Sequence, residues 1–499
     1  MGFGALDWSV FTGYFLILAL TSWLFSRFAV RSSRDYFVGG NSVPMLAAAV
    51  SLLATTQSAA TFLGGPEFAY RHDLTFIGFY FSALLAVILV AKVLVPRFYA
   101  IRAVTVYELL QVRYGEKAKR EAGLMFLVGR VLASGARLYI GALAVSMIIF
   151  TDVAPLHVFT AVVVLIAGAL AYTYFGGLRA VIYSDAIQAF TYIGAGVAVL
   201  AYLYGALHTD FGTLVGVLEA DRKLTVIDTG VGDFSLRNLL GGWLLLNIAA
   251  YGLDQDMTQR VLACRDSRSG ARALVLSIVL TIPVVLLFLA IGLLLHLYYN
   301  HPELSAFGGE AVQRFEGEKI TIFMAYILNE MPEGLRGLVT VGAIAAALSS
   351  ANSVLAAMAS VAVEDLYRPW KTARGVTDEG HYVAAARAAV LIFAAVLTVM
   401  AMVSYYWQRA TDLPLVSFAL GVMSFAYAGL LGVYASALFT SRGSEKTVPW
   451  ALAGGLLTVL LLQPYFFGSA VTLGGQLVAG TAVSFAIMQS SRGNEQRLK

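Results

Sequence analysis

The chain has 499 residues, 59% of them hydrophobic and only 13% charged, with a mean hydropathy of +0.76. Soluble domains carry about 25% charged residues, so the composition excludes an ordinary soluble enzyme and marks an integral membrane protein. The net charge of +4 is spread over short loops beside apolar stretches and is no nucleic-acid signal, and a lone cysteine, Cys264, excludes an intrachain disulfide.

About 13 segments are long and apolar enough to span a bilayer. In chain order they fall near 8–27, 43–70, 74–95, 122–150, 155–175, 180–204, 236–262, 271–298, 321–363, 384–404, 412–437, 448–464 and 471–489. The first lacks a basic leader and a small-residue cleavage site, and is expected to stay as a helix. The second is interrupted. Its stretch Ala54-Thr55-Thr56-Gln57-Ser58-Ala59-Ala60-Thr61 is small and polar at mid-membrane, and Gly64-Gly65-Pro66 follows. The fourth carries Arg130 and Arg137, costly residues in such a setting. The seventh is interrupted by Ala249-Ala250-Tyr251-Gly252-Leu253-Asp254-Gln255-Asp256. The ninth is too long for one span, and its part before Pro332 is expected as an external re-entrant or surface helix. The remainder holds Ala343-Ile344-Ala345-Ala346-Ala347-Leu348-Ser349-Ser350-Ala351-Asn352-Ser353, with polar side chains crowded toward one end. Hydroxyl and amide oxygens are hard ligands, suited to an alkali cation, and are costly in a bilayer unless something uses them.

Lys and Arg set the orientation. With the N-terminus outside, cytoplasmic loops hold about 24 of the 34 Lys and Arg, against about 8 outside. The tail Arg492–Lys499 is then cytoplasmic, and the protein is expected as a multi-pass component of the cell membrane. The two interrupted segments lie five spans apart, an odd repeat length that inverts the second half relative to the first. Paired interruptions mark a transporter with its site at the midplane, because unwound backbone frees carbonyls for a cation and a half-helix N-terminus favours an anionic group. The alternative is two ordinary kinked helices packed through small residues. No His, Cys, Asp and Glu residues stand at zinc-site spacing, and no phosphate-cradling GxxxxGK[ST] loop is present. The six scattered histidines supply no nucleophile–base pair, so no enzymatic activity is expected.

Three stretches carry a resemblance. Gly176-Gly177-Leu178-Arg179-Ala180-Val181-Ile182-Tyr183-Ser184-Asp185-Ala186-Ile187-Gln188 enters one span, and Asp254-Gln255-Asp256-Met257-Thr258-Gln259-Arg260 follows the second interruption. Ser349-Ser350 precedes Asp365-Leu366-Tyr367 on a third. In this order they resemble the sodium:solute symporter family, which includes sodium-coupled carriers of sugars, proline, pantothenate, monocarboxylates and sialic acid. The resemblance covers about residues 8–440. It implies an all-α integral membrane fold of the leucine-transporter type, a 5+5 inverted-repeat helical bundle with one extra N-terminal and two extra C-terminal helices. In that frame 1–499 is a single transporter domain, 43–208 the first repeat and 236–438 the second. Residues 1–42 add a helix and a cytoplasmic loop, and 439–499 the last helices.

The resemblance implies Na+ as the coupling ion, one or two per cycle. The main sodium site maps onto Ala54, Gln57, Ala346, Ser349 and Ser350. The residues themselves agree, since the break would release the Ala54 and Gln57 carbonyls; the serines bonding back to their own helix is the alternative. A second sodium site, found in some members, maps onto Asp185, Ser349, Asn352 and Ser353, with Ser184 or Asp185 as a plain helix cap the other reading. For the substrate, Thr56, Ser58 and Thr61 resemble the hydroxyl pattern of the sialic acid carriers. Phe76 and Tyr80 offer one wall, and Asn247, Tyr251 and Gln255 the other. The family's sugar carriers have a gate tyrosine where this chain has Ala250, with Tyr251 beside it. Arg137, near the centre of its span, matches a carboxylate with its fork, or forms a structural ion pair. Arg130, nearer the cytoplasm, reads as an interfacial or gating residue. The expected function is a sodium-coupled secondary active symporter importing a small organic solute by alternating access, a carboxylate such as sialic acid or a monocarboxylate. The alternatives are a neutral amino acid or sugar symporter, or a transporter-like membrane sensor. Expected partners are an anionic solute and the lipid bilayer, with no nucleic acid and no obligate protein partner.

Overall fold

Apolar runs become long helices and the small, polar interruptions become breaks. The computed structural model describes residues 3–491 apart from 26, 28–29, 231, 306–313, 316–317, 412–414 and 464–470, so the tail Arg492–Lys499 lies outside the described residues. Helix α1 (Ala5–Phe25) leads to the short α2 (Ser33–Val38). The second apolar segment splits into α3 (Met45–Thr56) and α4 (Ala59–Arg71), bent by 61°. Next come α5 (Ile77–Ala100), α6 (Glu108–Tyr114) and α7 (Glu116–Ile149). Helix α8 (Pro155–Ala206) runs for 52 residues, at about 1.5 Å each far longer than one bilayer is thick. It is two spans joined at Gly177 (φ 58°, ψ −158°), where an added Cβ would lie 2.6 Å from the Tyr36 carbonyl oxygen. Conformation and space both demand glycine there.

A loop helix, α9 (Phe211–Ala220), precedes the second broken segment, which is α10 (Leu236–Leu240), α11 (Gly242–Gly252) and α12 (Gln255–Leu262). Helices α13 (Ser267–Asn300) and α14 (Pro302–Ser305) follow, then a two-residue ladder of β1 (Arg314–Phe315) with β2 (Glu318–Lys319). Asp266 caps α13 by accepting from the Ser269 N–H at 2.8 Å, and this backbone bond holds its carboxyl below the usual range. The part of the ninth segment before Pro332 is a separate helix, α15 (Ile322–Asn329); α16 (Leu335–Ser360) then runs into a π-helical turn over Val361–Tyr367. The chain ends with α17 (Arg368–Thr372), α18 (Glu379–Thr411), α19 (Leu415–Phe439), α20 (Val448–Leu461) and α21 (Leu473–Gln489). Among the described residues seven helices are long and apolar enough to cross a membrane, or eight with the bent α3–α4 pair. The second break, the joined spans of α8 and the last three helices, α19 to α21, account for the difference from about 13.

Helix α16 is buried almost throughout, and its small residues let neighbours come close. A Cβ on Gly141 of α7 would lie 2.9 Å from that of Ala347. This approach brings Arg137, one turn away on α7, up to the serine-bearing part of α16. Asp7, fully buried, accepts from the N–H groups of Gly334 (2.8 Å) and Gly337 (2.7 Å) and so docks α1 on the start of α16. Leu16, Phe190, Ile392 and Phe439 are exposed on the outside of the bundle, as a lipid-facing surface requires.

Candidate functional site

The first break is built by Thr61. In an unbroken helix the Ser58 N–H would donate to the Ala54 carbonyl, and the Thr61 N–H to that of Gln57. Instead the Ser58 N–H donates to Thr61 Oγ1 (2.8 Å), and the Thr61 N–H to the Ser58 carbonyl (3.0 Å). Gln57 (φ −81°, ψ 139°) and Ser58 (φ −141°, ψ 169°) are extended. The Ala54 and Gln57 carbonyls thus lose their helical donors. That of Gln57 accepts from Ser350 Oγ on α16, at 3.2 Å. The structure therefore joins Gln57 to Ser350, with Ala54, Ala346 and Ser349 fully buried in the same core.

Ser349 turns toward α8, where its Oγ donates to Asp185 Oδ1 at 3.0 Å. Ser353 Oγ donates to the Ser349 carbonyl (2.6 Å) and meets Thr55 Oγ1 (3.1 Å). Asn352 Nδ2 reaches Ser184 Oγ at 3.5 Å. The residues expected to cage a second sodium do assemble, but around a guanidinium. Arg260 donates to Asp185 Oδ2 (3.1 Å), to Ser51 Oγ (2.7 Å) and to Ser353 Oγ. A sodium ion among them would share its one carboxylate with a fixed cation. Asp185 and Ser353 thus both accept from Arg260, while Ser349 keeps the other carboxylate oxygen of Asp185.

Arg260 belongs to a larger buried array. Its Nη1 lies 3.1 Å from Asp256 Oδ1. Arg130 of α7 pairs with Asp256 and, at 3.3 Å, with Asp254 Oδ2, which also accepts from Tyr427 of α19 at 2.5 Å. Arg130 is 4% exposed and paired inside the bundle, so of the interfacial and gating readings its burial favours the second. Together these bonds tie both broken segments to α7, α8, α16 and α19.

A narrow cleft of only about 10 Å³ lies between the start of α4, α7 and α16, lined among others by Ser58, Ser134, Arg137, Ala347 and Ser350. Tyr80 and Tyr251 are buried within electrostatic reach of Arg137. Other expected substrate contacts are placed differently. Thr61 is consumed by the cap, and Thr56 Oγ1 bonds back to the Leu53 carbonyl (2.7 Å). Phe76 joins an aromatic cluster with Phe68, Phe79 and Phe234. Asn247 is buried on α11 with Nδ2 3.4 Å from the Phe79 carbonyl. Gln255 faces the protein: its amide donates to the Val104 carbonyl (2.9 Å) and Ser360 Oγ (3.2 Å) and accepts from the Val106 N–H (3.0 Å). Sequence reasoning did not single out Arg260, Asp256, Ser51 or Tyr427 as site residues. The signal for the first two was present, an acid and a base four residues apart inside an apolar segment.

A profile of the sodium:solute symporter family matches residues 36–456. The sodium/sialic acid symporter SiaT of Proteus mirabilis (strain HI4320) is 30% identical over 371 residues, which is 73% of this chain and 72% of that protein. The sodium/sialic acid symporter NanT of Aliivibrio fischeri (strain ATCC 700601 / ES114) is 26% identical over 489 residues, 94% and 91% of the two chains. Among solved structures, a Na+-coupled sialic acid symporter in a substrate-bound, outward-open state superposes with a TM-score of 0.83 at 23% identity, over 98% of this chain and 97% of that one. This likeness establishes the fold, which is of the leucine-transporter type.

Proposed function

The chain belongs to the sodium:solute symporter family, and from that membership we propose that this multi-pass, sodium-coupled carrier imports a carboxylate of the sialic acid class by alternating access. One observation carries the reading. Two carbonyls, those of Ala54 and Gln57, are stripped of their helical donors, and Ser350 of α16 reaches the Gln57 oxygen across the gap. Neutral oxygens gathered from two non-adjacent helices replace a hydration shell without holding the ion too tightly. At about 100 mV and a roughly tenfold gradient, each sodium supplies about 3.7 kcal/mol, enough for several-hundred-fold accumulation. Sodium orders the break, and the break positions Ser58 at the cleft onto which Arg137 opens. The guanidinium holds the carboxylate and the serine hydroxyls take the solute's own. No covalent step is involved.

Residues 43–208 and 236–438 act as the two inverted halves. The array of Arg130, Asp254, Asp256, Arg260 and Asp185 lies toward the basic loops and forms the barrier on the cytoplasmic side, with the N-terminus outside. Uptake of labelled N-acetylneuraminate into proteoliposomes under an inward sodium gradient tests the reading. Arg137→Ala should raise KM by about 10- to 100-fold, the worth of a charge-assisted bond, while the sodium-dependent thermal shift remains. Undiminished uptake by the variant removes the carboxylate role, sodium-independent uptake removes the coupling, and a preference for lactate moves the solute to a monocarboxylate.

A further inference from the structure

Far from the transport site, three side chains converge at the end of α13. Asp221 follows α9, His296 stands in the last turn of α13, and His301 is just beyond it. Both imidazoles present Nε2 to one oxygen: His296 Nε2 and His301 Nε2 each lie 2.8 Å from Asp221 Oδ2. The three ligand atoms are all within 4.8 Å of one another. The other nitrogen of each ring is held as well, His301 Nδ1 by Glu303 Oε1 (2.9 Å) and His296 Nδ1 by the Asn300 side-chain amide (2.9 Å). Outer partners of this kind fix the ring and the tautomer of metal-binding histidines. The spacing along the chain hid the set, since the carboxylate comes 75 residues before the first histidine.

The geometry points to a divalent-metal site of the Zn2+ class, with two imidazoles and one carboxylate as ligands and the fourth position open to water. Zinc bonds of about 2.0–2.2 Å in a tetrahedron need nitrogen and oxygen roughly 3.3 Å apart, so the cluster opens by about half an ångström to admit the ion. The Nδ1 protons then go to Glu303 and, with the amide turned over, to the Asn300 oxygen, and the Nε2 lone pairs face the metal. An entry path exists, for the side chains of Asp221 and His301 are 31% and 21% exposed. The nearby positive charge, Lys223, donates from Nζ to the Tyr70 carbonyl at 2.6 Å, and its charge is still felt by Asp221 and His296. The same loop thereby touches the end of α4, and Tyr70 packs its ring against His296. A bound ion would clamp the α9 loop to the end of α13 beside α4. This inference stands apart from the transport reading and is tested on the full chain in detergent.

Zinc retained after desalting should amount to roughly one equivalent, and it should raise Tm by a few degrees. Cobalt(II) in its place should give visible absorption bands that zinc abolishes. Asp221→Asn and His301→Ala should each lose the metal and the bands, whereas His157→Ala, which removes the separate His157–Asp152 pair, should not. The cobalt measurement needs no variant, so bands absent from the unaltered protein overturn the proposal. So does metal retention unchanged in both cluster variants, which would put the ion elsewhere.

Discussion

Arg260 is fully buried and shares one positive charge between Asp185 and Asp256. A buried pair adds little net stability, but removing one partner leaves a charge with nothing to answer it. Asp256 keeps Arg130 when Arg260 is lost, whereas Asp185 keeps only the hydroxyls of Ser51 and Ser349. Arg260→Met should therefore cost about 3–5 kcal/mol, read as a lower melting temperature in detergent by tryptophan fluorescence. Adding Asp185→Asn to the same chain should return much of that loss, since no orphan charge then remains. A double variant no more stable than the single one would show that Asp185 does not depend on Arg260. Rescue of Arg260→Met by sodium would show Asp185 acting as an ion ligand. Arg137 was legible in the sequence as a charge inside an apolar span. The role of Arg260 was not, because its partner Asp185 lies 75 residues away and only folding brings them together.

Each broken segment turns on which donor answers which carbonyl. Thr61→Val keeps shape and removes the hydroxyl that accepts the Ser58 N–H. That N–H is then free to return to the Ala54 carbonyl, lengthening α3 and engaging an oxygen otherwise open to the ion. The half-saturating sodium concentration should rise roughly tenfold, the worth of one hydrogen bond, in sodium-dependent uptake. Thr56→Val should leave it within about twofold, because Thr56 Oγ1 bonds only back to Leu53. Equal effects from both substitutions would mean that the break does not depend on the cap. The positions of both breaks were legible, since small polar runs cannot hold an apolar span together. The job of each hydroxyl was not: the three-residue step from Ser58 to Thr61 suits a helix cap and a shared face equally well. The surroundings of Gln255 were hidden for a similar reason. Its motif marked a segment that matters, but an amide buried against the Val104–Val106 backbone looks in sequence like one that meets a solute.

For the whole molecule, hydropathy sufficed to find the helices, while the direction of transport rests on which end of the bundle faces the cytoplasm. Arg265, Arg268, Arg272, Arg368, Lys371 and Arg374 crowd one end. There Trp370 takes Lys371 and Arg374 against its ring, at 4.9 and 3.8 Å, in the manner of an interfacial anchor. The chain supplies its own clean background for a labelling test. Burial, with the Asp266 charge added, pushes the Cys264 thiol up to about 12, and the side chain is fully enclosed, so it should not react with a maleimide. Glu219 on α9 and Ala373 after α17 are both exposed and lie in loops of opposite predicted side. A membrane-impermeant maleimide should label Glu219→Cys in intact cells, and Ala373→Cys only once the membrane is opened. The reverse pattern would turn the bundle over. The buried array beneath the cleft would then face the outside, and its assignment as the cytoplasmic barrier would fall with the import direction.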